Sequence, residues 1–160
     1  MTLQRVNYQF SVRLPVSADR AYRWATDYRA GDLELMGFQA RRKVQVLAKD
    51  SVMLTDSFDA DPFGVVPGAR VVKEKLVHLF PKERSWTSTH VSGPTIHSQF
   101  LYRIVPLGGR ASKLLYTGVQ VDQVKRACTP AVLAKRAREL RRIDSRSWRR
   151  MAKVMGRDYA

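Results

Sequence analysis

Glu74, His90 and Asp144 are the residues of this chain whose types and positions could do chemistry. Glu74 and His90 fall in two alternating segments, 69–80 and 83–92, joined at Pro81-Lys82. A tight turn there pairs residues whose numbers sum to about 164, which sets Glu74 opposite His90 and His78 opposite Trp86. If Lys73 and Lys75 face water, then Val72, Glu74, Leu76, His78 and Phe80 face inward. A buried Glu–His pair is a general acid/base couple, because each partner moves the other's pKa. The same pair also reads as a satisfied polar pair at the open end of a sheet, and a one-residue bulge would separate it. Asp144 lies inside the apolar stripe of a long helix. It could anchor a polar ligand group, or form an ion pair with Arg141 or Arg42.

The helix that carries Asp144 runs from Pro130 to about Met155 without an internal Gly or Pro. At ~100° per residue, Leu133, Ala137, Leu140, Trp148, Met151 and Met155 share one side, flanked by Ile143 and Val154. Ser147 joins Asp144 on that side. Lys135, Arg138, Arg142, Arg146, Arg149 and Lys153 take the opposite side. The chain has 29 Lys+Arg against 14 Asp+Glu, a net charge of +15. Residues 125–158 hold twelve of those bases and three of the acids, so the excess concentrates on this helix. Such a ridge suits an anionic membrane surface or RNA, or else is simply a solvated face.

The rest of the chain must supply what the helix covers. Residues 4–14 alternate, with Val6, Tyr8, Phe10, Val12 and Leu14 on one face, and Pro15 ends the strand. Ser17 is an N-cap residue for a helix over 18–28, and Gly31 and Gly37 bracket a second helix over 32–36. Strands follow at 39–49, 51–58, 69–80, 83–92, 95–106 and 112–122, with the loop DADPFGVVPG over 59–68 between the second and third of them. The other connections are short, so neighbouring strands pair antiparallel. In 95–106, Ile96, Ser98, Phe100, Tyr102 and Ile104 face inward, and His97, Gln99 and Arg103 outward. A one-faced sheet needs a cover, and the long helix is the available one.

This order, with the opening LPVSADRAYRWATDY over 14–28, resembles the START/Bet v 1-like superfamily, also called SRPBCC or polyketide cyclase-like proteins. The resemblance spans nearly all 160 residues. It implies one α+β domain over 1–160 with a helix-grip fold: a seven-stranded curved antiparallel sheet wrapped around the C-terminal helix, with two short helices after the first strand. It also implies a cavity for a lipid, sterol, quinone or polyketide-like molecule. Some members of the superfamily catalyse cyclisation or dehydration, and others act as carriers or ribosome-associated proteins. The superfamily shares no universal catalytic residues, so none carries over.

On this reading the cavity is lined by Phe10, Trp86, Ser88, Ser98, Phe100, Tyr102, Tyr116, Leu140, Asp144, Ser147 and Met151, with Trp24 and Trp148 either lining it or packing as core. The function expected is binding or transport of an apolar or amphipathic small molecule. The rivals are a cyclase/dehydrase-type enzyme in the same cavity, and a basic module that binds RNA, the ribosome or an anionic membrane. No cofactor is expected. Cys128 is alone, and the three histidines lie on separate strands, so no metal site is expected either. No phosphate loop or Gly-x-Ser-x-Gly elbow occurs. No signal-like apolar run or ~18-residue apolar stretch is present, which makes a cytoplasmic protein the simplest expectation.

Overall fold

The computed structural model describes residues 1–160. Seven strands form one antiparallel sheet: β1 (Thr2–Leu14), β2 (Ala40–Ala48), β3 (Ser51–Phe58), β4 (Val71–Phe80), β5 (Ser85–His90), β6 (Gln99–Pro106) and β7 (Ser112–Val124). Their order is β1-β7-β6-β5-β4-β3-β2, so only the first strand is out of sequence. It pairs with the last over its full length, Thr2 opposite Val124 and Leu14 opposite Ser112. Helices α1 (Ala18–Thr26) and α2 (Asp32–Leu35) connect β1 to the far edge strand β2, and α3 (Pro130–Asp158) packs along the inner face. This is the helix-grip architecture of the START/Bet v 1-like fold.

The inner face carries the alternation that builds the core. Val6, Tyr8, Phe10, Val12 and Leu14 of β1 are buried, as are Val52, Leu54, Asp56 and Phe58 of β3. Leu140, Trp148, Met151 and Met155 of α3 close over them. Thr129 caps α3 by accepting from Val132 N–H, and Pro130 sits in the first turn, where a missing N–H costs nothing. Ser17 precedes α1, but its side chain makes no capping bond. In β7 the chain needs Gly118. A Cβ there would come within 2.9 Å of the Phe100 ring, and its absence lets Phe100 meet Tyr8 edge-on at 6.5 Å between centroids.

Strand β4 departs from the sequence reading. Residues 81–83 form a short 3₁₀ turn, and Arg84 takes a left-handed conformation at φ 47°. The register with β5 is therefore one residue from that of a tight two-residue turn. Lys75, not Glu74, stands opposite His90, and Leu79, not His78, opposite Trp86. A one-residue shift moves a strand's side chains to the other face. Val71, Lys73, Lys75, Val77 and Leu79 point inward, while Val72, Glu74, His78 and Phe80 are exposed. Segment 95–98 is a turn rather than strand, with His97 at φ 74°, and β6 begins at Gln99.

The helix–sheet contact should dominate stability. Leu140 is fully buried between α3 and the sheet, whereas Leu101 is 46% exposed on the outer face. We expect Leu140→Ala to cost about 3 kcal/mol in urea unfolding and Leu101→Ala about 0.5 kcal/mol or less. Equal losses would mean that α3 is not the cover of the core.

Candidate ligand cavity

Between the sheet and α3 lies a cavity of ≈ 90 Å³, measured as space open to the centre of a water molecule. Its lining comes from nearly every element. Trp86, Ser88, Phe100, Tyr102, Tyr116, Asp144 and Met151, expected from the sequence, all line it, and so does His90. Leu140 and Phe10 do not. Leu140 packs in the solid core, and Phe10 stacks on Tyr116 at 4.4 Å. Ser98 is spent on accepting from Val121 N–H at 2.8 Å. Ser147 donates to Ile143 C=O at 3.0 Å and borders a surface groove with Arg142, Arg146 and Arg150. Trp24 is also outside the cavity, donating to Asp158 at 2.7 Å. Lining residues that the sequence reading missed include Tyr8, Tyr28, Arg42, Phe63, Lys73 and Lys75.

The helix wall presents Asp144. It pairs with neither Arg141 nor Arg42. Its Oδ2 accepts from Tyr8 OH at 2.5 Å and from Tyr116 OH at 3.1 Å, and the two phenols are 3.1 Å from each other. No cation lies within ion-pair distance. Burial raises the pKa of the carboxyl, and the two phenol hydrogen bonds offset part of that rise. Burial and the nearby Asp144 push the Tyr8 and Tyr116 hydroxyls well above the usual phenol range. The phenols therefore stay protonated and donate to the carboxyl, whose pKa burial raises.

The sheet wall presents cations. Asp56 is fully buried on β3 and accepts from Arg42 at 2.7 and 2.8 Å and from Lys75 at 2.7 Å. Burial alone would raise its pKa, but Lys75 and Arg42 outweigh that and hold it far down. Arg42 also approaches Asp32 at 3.7 Å. Lys73, 1% exposed, shares in none of these pairs. Its Nζ instead lies 4.3 Å from the ring centroid of Phe63 and 5.7 Å from that of Phe58. The loop carrying Phe63 is held by Asp61, which accepts from the N–H groups of Phe63, Val65 and Val66. On the other side Gly93, at φ +93°, brings the 91–98 turn against the Lys73 stem, where a Cβ would come within 2.5 Å of Val72 C=O. Burial and the Lys75 charge bring the Lys73 amine down to about 8. Burial, Lys75 and Lys73 hold His90 well below its ordinary value, and its Nδ1 is 2.8 Å from Thr95 Oγ1. Glu74 is on the outer face, so the Glu74–His90 acid/base couple does not exist.

The basic residues Lys135, Arg138, Arg142, Arg146, Arg149 and Lys153 are all exposed along one side of α3, and none forms an ion pair. No group of three His, Cys, Asp or Glu side chains is placed to hold a metal ion. No helix is long and apolar enough to cross a membrane.

No protein-family model and no curated protein matches this sequence. Solved structures do match over nearly the whole chain. The Zhui aromatase/cyclase from Streptomyces sp. R1128 superposes with a TM-score of 0.69 at 13% identity, covering 98% of this chain and 93% of its own. Norcoclaurine synthase from Thalictrum flavum gives 0.65 at 12%, covering 96% and 95%. A START superfamily protein from Mycobacterium smegmatis gives 0.63 at 15%, covering 94% of each. At these identities the likeness is one of fold, and it places the chain in the START/Bet v 1-like fold.

Lys73 generates a prediction of definite sign. In the unfolded chain it titrates near 10.5, and in the fold near 8. Between those values the unfolded chain binds more protons, so stability falls as pH drops from 10.5 to 8 and levels off below. We expect Lys73→Met to raise stability at pH 7 by about 1–3 kcal/mol in urea unfolding, with the gain shrinking above about pH 10. A loss of stability at both pH values would mean that the amine is paired.

Proposed function

We propose that this protein binds a compact amphipathic small molecule, with an aromatic or apolar body and a hydroxyl or carbonyl, in the cavity between sheet and α3. The observation that carries the reading is the mismatch of the two walls. Asp144 has phenol partners but no cation, and Lys73 has aromatic neighbours but no anion. Buried polar groups left so are costly unless something completes them. A ligand that accepts from Lys73 and bonds the Asp144–Tyr cluster would do so, while Trp86, Phe100 and Met151 bury its apolar part. The aromatase/cyclases and norcoclaurine synthase that share the fold support a small-molecule cavity and keep a cyclase/dehydrase-type reaction as the alternative. Native mass spectrometry of freshly purified protein should show a retained small molecule. Benzyl alcohol should perturb the NMR signals of the cavity residues, and Asp144→Asn should weaken it about tenfold, the worth of one buried hydrogen bond. Unchanged affinity would remove Asp144 from the binding site.

A second reading rests on the exterior of α3. Six exposed cations without carboxylate partners make a positive field that attracts polyanions, an anionic membrane surface or RNA among them. We expect weak binding to anionic vesicles or RNA that is lost as salt rises, because counterion release drives it. Changing Arg142, Arg146 and Arg149 to Glu should abolish it and leave benzyl alcohol binding intact. Absence of wild-type binding to either polyanion at low salt would end this reading.

A further inference from the structure

We infer that Lys73 is a reactive amine that forms an imine with an aldehyde or ketone bound in the cavity. The inference rests on the cavity-binding reading and adds to it a covalent step and a substrate class. Four observations meet at this residue. Its side chain is buried and contributes to the cavity lining, with the amine under the Phe63 ring. No carboxylate takes its charge, because Asp56, directly opposite it in the strand register, spends both oxygens on Arg42 and Lys75. The rings of Phe63 and Phe58 flank the amine and supply no anion to it. Finally, Lys75 is the next inward residue on the same strand, and a second cation in an apolar surround favours the neutral amine. The amine's pKa of about 8 agrees with this geometry. The titratable and charged groups around it are Lys75 on its own strand, Asp56 and His90 on the two neighbouring strands, Arg42 one strand further, Asp61 on the loop and Asp144 on the helix.

The step balances without any other reagent. The Nζ lone pair attacks the carbonyl carbon, the carbonyl π electrons move to oxygen, and one of the two amine protons passes from nitrogen to that oxygen. The carbinolamine then loses its hydroxyl as water, with a proton supplied from the Asp144–Tyr8–Tyr116 cluster, while nitrogen forms the C=N bond and its remaining proton returns to the cluster. One amine and one carbonyl become one imine and one water, and nothing is oxidised or reduced. The cluster suits that role by its geometry: two phenol hydroxyls are hydrogen-bonded to the Asp144 carboxyl on the wall of the same cavity, so a proton can be given up and replaced within it.

The test uses the full chain, benzaldehyde and sodium cyanoborohydride near neutral pH. The reductant delivers hydride to any imine and fixes it as a benzylamine. Peptide mapping should show a benzyl group on Lys73, besides any on the exposed Met1 α-amine, before the exposed lysines react. At pH 7 an amine that titrates near 8 has a free-base fraction on the order of a hundredfold above that of an ordinary lysine. We therefore expect selectivity of at least about tenfold even with hindered access. Lys73→Arg should keep the fold and lose the early label. Labelling spread over the exposed lysines, with Lys73 untouched, overturns the inference. Benzyl alcohol, which cannot form an imine, then separates the causes. If it still binds, only the covalent step is wrong; if it does not, the cavity reading fails as well.

Discussion

The inner face of the sheet is organised around one carboxylate, that of Asp56. It is fully buried, and it draws Arg42 from β2 and Lys75 from β4 to itself. Three charges taken out of water on three adjacent strands are tolerated only when they satisfy each other. Asp56 therefore ties the edge of the sheet to its centre, and it also fixes the chemistry of the cavity. Because both oxygens are used, Lys73 is left with aromatic faces rather than an anion. The unpaired amine on one wall follows from the paired carboxylate next to it.

The opposite wall obeys the same logic with the signs exchanged. Asp144 reaches across from the helix to Tyr8 and Tyr116, which stand on the paired first and last strands. The cluster joins helix to sheet through hydrogen bonds alone; burial raises the pKa of its carboxyl and those bonds offset part of the rise. An acid with no cation beside it on one side and a base with no anion on the other suit a dipolar ligand better than an ion. An ion would have to be desolvated with no full counter-charge waiting, whereas a hydroxyl or carbonyl loses less and gains the same bonds.

Much of this was legible in the sequence, and the part that was not has a definite cause. The alternation in β1, the short connections and the long amphipathic α3 led to the seven-stranded helix-grip arrangement, and the phase of β5 and β6 placed Trp86, Ser88, Phe100 and Tyr102 on the cavity side. Asp144 stood out because an acid interrupted an apolar stripe. Strand β4 was misread because both of its phases look acceptable: Val71, Val77 and Leu79 lie on one face, Val72, Leu76 and Phe80 on the other. Only the lysines seemed to decide, on the rule that cations face water. The rule failed because Asp56, nineteen residues upstream, accounts for Lys75, and such a partnership shows only when the strands are aligned. One signal was available: Asp56 itself falls on the inward phase of β3, between Leu54 and Phe58, and a buried acid calls for an inward base.

The size of the cavity constrains how it can be used. At ≈ 90 Å³ it holds a few waters, less than the ~150 Å³ in which an apolar site takes up benzene. A ring can bind only if a lining side chain moves, and the lining differs in how easily it can. Trp86 and Phe100 are locked in paired strands, and Met151 is locked in the helix. Phe63 is carried on the 59–68 loop, only half-buried, and held through Asp61 and its packing on Phe38 and Phe58. Swinging it outward breaks no strand pairing and opens the side of the cavity beside the Lys73 amine. Of the groups that flank the Lys73 amine, Phe63 is therefore the one whose displacement would leave the sheet intact.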